Sequence, residues 1–207
     1  MTRILFQGDS ITDCGRSRDH DGYKGSGYAG LVTSVLNFEF PGEYEIFNRA
    51  VSGNRVVDLY ARIKADLINL KPDILSVHIG INDVWHEVAG KNGVDAEKFE
   101  KIYDMFLSEV KAALPDIKII ILGAFVTKGK ATEEAWDYFE PETKKRAESA
   151  KKLAEKYGCV FVDTQAEFDK ALERHPEPYW THEGVHPTEA GHELMKRAWL
   201  DGFEQIK

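Results

Sequence analysis

Ile4-Leu5-Phe6-Gln7-Gly8-Asp9-Ser10-Ile11-Thr12 is the stretch that decides the fold. A nearly continuous apolar run is followed at once by a Gly-Asp-Ser turn. Such a run suits a strand buried on both faces, as in a parallel sheet covered by helices. The serine is then delivered at the carboxyl end of that strand. Open α/β folds keep their chemistry along this edge.

Working outward, Arg3–Gln7, Tyr44–Asn48, Ile74–Ile79, Lys118–Ala124 and Cys159–Asp163 all read as buried strands. Between them apolar residues recur at helical spacing. Val56, Tyr60, Ile63, Leu67 and Leu70 form one stripe, and Phe99, Ile102, Phe106, Val110 and Ala113 another. Ala147, Ala150, Ala154 and Tyr157 form a third, and Ala190, Leu194 and Ala198, with Met195 and Trp199 alongside, a fourth. A further helix is expected over Tyr28–Phe38. Pro72 and Pro115 stop helices just ahead of strands, and Pro187 suits the first turn of the last helix. The alternation predicts an α/β fold, a three-layer α/β/α sandwich on a five-stranded parallel sheet. The expected strand order is the flavodoxin-like 2-1-3-4-5 with right-handed crossovers. A single domain over residues 1–207 accommodates it. Two connections are long, Asp13–Gly27 and Val126–Glu140, and both leave carboxyl ends of strands. Trp136, Tyr138 and Phe139 in the second suit stacking on a sugar, a lid, or packing against a neighbouring helix or subunit.

Composition narrows the partners. A net charge of −8 argues against nucleic acid and anionic membrane surfaces. No apolar run approaches the length of a membrane span. Of the two cysteines, Cys159 lies in an apolar run and reads as a buried thiol, while Cys14 follows Ser10 by four residues. No structural disulfide is expected, and with no signal segment ahead of the first strand the expected location is a reducing, cytoplasmic one.

Four stations carry chemistry. Ser10 ends the first strand, and a serine becomes a nucleophile only when a base takes its proton. His186, in Glu183-Gly184-Val185-His186-Pro187, is the best base in the chain. Glu183, three residues earlier, can fold back onto its Nδ1. Gly53, in Ser52-Gly53-Asn54, and Asn82, in Gly80-Ile81-Asn82-Asp83, follow the second and third strands. With the Ser10 N–H they supply three donors for an oxyanion hole. Asp83 reads as a brace for its loop. Each station alone has a plainer role: a turn serine, a surface histidine at a helix start, turn chemistry at Gly53-Asn54. Together they are the parts of an acyl-transfer enzyme that requires no metal and no organic cofactor.

These blocks, in this order, resemble the SGNH hydrolases, or GDSL lipases and esterases. The resemblance covers nearly the whole chain, through Gly8-Asp9-Ser10, Gly53, Gly80-x-Asn82-Asp83 and His186-Pro187. The longer runs Gly8–Arg16, Gly80–Trp85 and Phe161–Gln165 look like the branch of acetyl-xylooligosaccharide esterases. The resemblance implies deacetylation of carbohydrates, with other short acyl esters or thioester-like substrates as the alternative. It also implies a homo-oligomer, which nothing in the chain itself demands. One departure stands out: the family places Asp three residues before the histidine, and this chain has Glu183. Either its longer arm reaches Nδ1 or a backbone carbonyl takes that place. Candidate substrate contacts are Asp9, Arg16, Trp85 and Trp180, either tryptophan suiting the core equally well, with Arg18, Asp19, His20 and Tyr23 as further polar groups of a first long loop that suits a solvated surface as well.

Two other readings compete. His182-Glu183-Gly184-Val185-His186 is an H-E-x-x-H string, with His192 six residues on, as in zinc proteases. That motif needs both histidines on one helical face. Pro187 and Gly184 oppose a helix there, and His192 is expected on the polar side of the last helix. The third reading is a non-catalytic carbohydrate-binding protein on the same fold.

Overall fold

The computed structural model describes residues 1–207. Strands β1 (Thr2–Gly8), β2 (Tyr44–Asn48), β3 (Ile74–His78), β4 (Lys118–Leu122) and β5 (Val160–Val162) form one sheet in the order β2-β1-β3-β4-β5. Every pairing is parallel. This is the expected α/β architecture and strand order.

The period-two alternation of each strand splits the core in two. Ile4, Phe6, Ile46, Ile74, Ile120 and Leu122 face one layer, and Leu5, Leu75, Val77, Ile119 and Ile121 the other. On the first face lie α2 (Tyr28–Glu39), α8 (Thr164–Leu172) and α9 (Glu189–Phe203), through residues such as Val32, Phe168 and Trp199. On the second lie α3 (Val56–Ala61), α4 (Ile63–Asp66), α6 (Ala96–Ala113) and α7 (Trp136–Tyr157), through Leu59, Ile63, Phe106 and Leu153. Two short-range elements complete the rim above the carboxyl ends of the strands: α1 (Ser10–Asp13) after β1 and α5 (Ile81–Gly90) after β3. Several polar atoms in the first core are paired. The Trp199 indole N–H donates to Ser76 Oγ (2.9 Å), and the Thr12 and Tyr28 hydroxyls lie 3.0 Å apart. No helix is long and apolar enough to cross a membrane.

Several boundaries differ from the sequence-based expectation, each for a local reason. The stripe Val56–Leu70 is not one helix. It breaks at Arg62, whose guanidinium is drawn to Asn54 Oδ1 (2.8 Å), Arg49 O (2.7 Å) and Gln7 Oε1 (2.9 Å). A second break at Leu67 leads to a 3₁₀ turn over Ile68–Leu70. β5 starts at Val160 because Gly158 caps α7 in the left-handed region and Cys159 N–H still closes that helix on Ala154 O (2.8 Å). Cys159 is accordingly only half-buried; both cysteines are free. Asn82 and Asp83 sit on α5 rather than in a loop, and α8 carried no expected helix. α7 begins at Trp136 and runs through Pro141. The missing proline N–H forfeits one bond near the exposed first turn, so the helix tolerates it. Phe139 is therefore a buried core residue. Pro187 lies outside α9, whose N-cap is Thr188, with its hydroxyl accepting from Gly191 N–H (3.3 Å).

Phe6 is fully enclosed between Tyr28 (ring centroids 5.9 Å apart) and Trp199 (5.4 Å) at the centre of the first core. Phe6→Ala is expected to cost about 3–5 kcal/mol in urea unfolding. Phe38→Ala, on the exposed side of α2, is expected to stay within about 0.5 kcal/mol of the wild type.

Candidate active site

The serine is presented by a single closed helical turn. Asp9 caps it, its Oδ1 accepting from Ile11 N–H at 3.0 Å. Asp13 N–H returns to Asp9 O (2.8 Å) and Cys14 N–H to Ser10 O (2.9 Å), with Cys14 in the left-handed region. Ser10 Oγ lies 2.8 Å from His186 Nε2. Glu183 Oε1 is hydrogen-bonded to His186 Nδ1 and also accepts from His186 N–H (3.2 Å). The carboxylate, not a backbone carbonyl, faces Nδ1, so the longer arm reaches. An ionised carboxylate only accepts, so Nδ1 carries the proton and Nε2 is left to accept from the serine hydroxyl. Trp85 stands beside the imidazole, ring centroids 5.9 Å apart, and is itself backed edge-on by Phe139.

The candidate donors come from the strands on either side of β1. Gly53 is the third residue of a turn closed by Asn54 N–H on Val51 O (3.1 Å), with φ +84°. That is the type II position that favours glycine. Its own N–H has no acceptor in the protein. Asn82, in the first turn of α5, gives one amide hydrogen to Asn54 O (3.1 Å) and keeps the other. Two buried aspartates pin this turn. Asp13 Oδ2 accepts from both Ser52 N–H and Ser52 Oγ (2.9 Å each) and pairs with Arg18. Asp83 takes Val56 N–H on its two oxygens (3.1 and 3.2 Å). Burial pushes the Asp83 carboxyl well above its ordinary range, against the pull of Val56 N–H and Arg146.

The histidine turn is held from another side. Thr181 and Pro187 form an isolated bridge, and His182 N–H donates to His186 O (2.8 Å). The connection after β4 docks on this turn. Thr127 N–H donates to Gly184 O (2.8 Å) and Ala131 N–H to Glu183 O (2.9 Å). A Cβ on Gly129 would lie 2.5 Å from the Glu183 carbonyl carbon. The first half of the Val126–Glu140 segment is thus a clamp on the Glu183 turn.

The other candidates separate. Asp9 is fully enclosed, so it caps the serine turn and does not reach a substrate. Arg16 is a strut: its Nε donates to Ala50 O (2.7 Å) and its Nη1 to Ser17 O (3.2 Å). Trp180 is buried in the first core with its indole N–H on His175 O (2.8 Å). Of the four proposed contacts, Trp85 alone stands against the His186 ring. His192 is not on a polar face. It is buried, with Nδ1 accepting from Tyr28 N–H (3.1 Å) and Nε2 3.5 Å from Cys14 Sγ. Burial pushes its pKa down to about 4. The H-E-x-x-H string forms a tight turn instead of a helix, and no three His, Cys, Asp or Glu side chains converge as a metal site. Sequence reasoning missed Asp13 as the anchor of the Gly53 turn. Its spacing of three from Ser10 was the only signal.

A profile of the GDSL-like lipase/acylhydrolase family matches residues 6–194. An acetylxylan esterase of Geobacillus stearothermophilus is 35% identical over 217 residues, covering 99% of this chain and 96% of its own. Among solved structures, a protein of Parabacteroides merdae described as a GDSL-like lipase superposes with a TM-score of 0.92 at 36% identity, covering 98% of this chain and 95% of its own. The Geobacillus enzyme superposes at 0.88 and 33% identity, covering 97% and 93%. Its catalytic mutants replace a serine in one case and a histidine in another. The chain belongs to the GDSL-like lipase/acylhydrolase family. Its class of activity is that of a carboxylic ester hydrolase.

Two outcomes follow from the buried aspartates. Burial raises the Asp9 carboxyl to about 7, and its Oδ2 has no partner. A carboxyl raised on folding stabilises the fold below its unfolded value near 4, and that contribution is lost as pH rises through about 7. The Tm of Asp9→Asn should therefore gain on the wild type between pH 5 and 8; a constant difference would contradict this. Asp13→Ala frees Ser52 and the Gly53 turn. In steady-state kinetics kcat should fall about 10- to 100-fold with KM little changed.

Proposed function

We propose that the protein is a serine esterase acting on short acyl esters, in first place acetyl groups on carbohydrates such as xylo-oligosaccharides. The observation that carries the chemistry is the Ser10–His186–Glu183 hydrogen-bonded chain, with 2.8 Å between Oγ and Nε2. Ser10 Oγ attacks the acyl carbonyl while His186 Nε2 takes its proton. Glu183 stabilises the imidazolium and fixes its tautomer. The N–H groups of Ser10 and Gly53 and the Asn82 amide receive the oxyanion, and removal of one such donor costs about 2.7–4 kcal/mol of transition-state stabilisation. His186 then gives the proton to the leaving alkoxide. The acyl-enzyme remains, and water repeats the sequence to release the acid and restore Ser10.

The acetyl preference is supported by near-full-length similarity to an acetylxylan esterase. A general short-chain acylhydrolase, thioesters included, is the second reading, because the same three residues serve any acyl carbonyl.

Ser10→Ala should lower kcat by on the order of 10⁴-fold or more with an unchanged circular dichroism spectrum. Glu183→Gln should lower it by about 10³- to 10⁴-fold. Rates on acetyl, butyryl and octanoyl esters beside acetylated xylo-oligosaccharides decide the substrate. The expected order falls with chain length, with the oligosaccharides best; a preference for octanoyl esters or thioesters overturns the acetyl reading.

A further inference from the structure

One half-buried acid takes no part in the chemistry above. Glu177, between α8 and α9, places Oε1 against two hydroxyls, Thr127 Oγ1 (2.5 Å) and Thr181 Oγ1 (2.7 Å). Its Oε2 is buried without a partner. A buried acid oxygen left unpaired is costly and calls for a reason.

The hydroxyls lead to the catalytic turn. The two hydroxyls also lie 3.0 Å from each other, so with Glu177 Oε1 they form one hydrogen-bonded cluster. Thr181 Oγ1 keeps a lone pair for a further donor. There it receives Gly184 N–H (2.9 Å). Thr127, whose hydroxyl is held by the same oxygen, gives its backbone N–H to Gly184 O (2.8 Å). Gly184 is thus held at both of its backbone polar groups by threonines tied to one acid. It follows Glu183 directly, with φ +108°, and shares the three-residue arc that closes Glu183 Oε1 onto His186. Glu183 has no other side-chain partner than His186 to fix its carboxylate. Its direction therefore depends on the backbone that Gly184 continues.

We propose that Glu177 is a positioning residue for the Glu183–His186 pair, acting through the Thr127 and Thr181 hydroxyls on Gly184. The role concerns the speed of proton transfer and not the binding of substrate. It applies to any acyl ester the enzyme takes.

The test uses the full-length protein with 4-nitrophenyl acetate, and in parallel the rate at which a fluorophosphonate labels Ser10. Glu177→Ala should lower kcat about tenfold with KM within about twofold, and slow labelling in proportion. Glu177→Gln offers an amide oxygen at the same place and should restore most of the loss. Thr181→Val is close in shape, removes the hydroxyl that links Glu177 to Gly184 N–H, and should reproduce the Glu177→Ala pattern if that variant folds poorly. Unchanged kcat and labelling in both Glu177→Ala and Thr181→Val would overturn the proposal. So would a Glu177→Gln enzyme as slow as Glu177→Ala, or a loss confined to KM. A wild type that is labelled at Ser10 but inert towards the acetate ester would count against the acetyl reading alone, since the labelling rates still decide the role of Glu177.

Discussion

The hydrogen bond between the Ser10 hydroxyl and the His186 imidazole joins residues 176 positions apart, and the site depends on it. Its two ends are held by different parts of the molecule. Ser10 is carried by β1, the strand paired on both sides, by β2 and by β3. The turns bearing Gly53 and Asn82 leave those same neighbours. Parallel pairing therefore places Ser10 and the candidate oxyanion donors at one edge without any long-range search. His186 is on no strand. It is placed by a turn ahead of α9, against which the connection after β4 is clamped. A rigid sheet fixes one partner and a docked loop the other, the usual division between scaffold and functional loops.

Buried and half-buried acids do most of the fixing. Asp9 caps the serine turn, Asp13 anchors Ser52, Asp83 anchors Val56, and Glu177 gathers Thr127 and Thr181. Each trades desolvation of a carboxyl for hydrogen bonds to backbone or hydroxyl groups. Asp9 and Asp83 show the tension directly, since burial raises both above ordinary carboxylates. The arrangement stores an electrostatic cost beside the reacting atoms. In return, the candidate donors and His186 are held in place in advance, the kind of preorganisation from which enzymes gain most of their electrostatic advantage.

The same frame accounts for the zinc-like string. Its residues match by spacing, yet spacing carries meaning only on a helix. With Pro187 closing a turn on Thr181 and His192 turned into the core against Tyr28 N–H, the three imidazoles face different surroundings. His182 stays exposed, and His186 is occupied by Ser10 and Glu183.

By itself the sequence determined the strands, their order and the four blocks that carry Ser10, Gly53, Asn82 and His186. These are written in local composition: doubly buried strands are continuous apolar runs, and positive-φ turns are marked by glycine. It left open whether Glu183 reaches the imidazole and whether Trp180 lines the pocket or the core, and it misplaced Asp9, Arg16 and His192. Only the tertiary structure decided those, together with the break at Arg62, the helix over Asn82 and the roles of Asp13 and Glu177. Each depends on which distant backbone group a polar side chain meets. Hydrophobic periodicity is silent on that, because one residue type serves equally as cap, strut, anchor or substrate contact until its partners are in place.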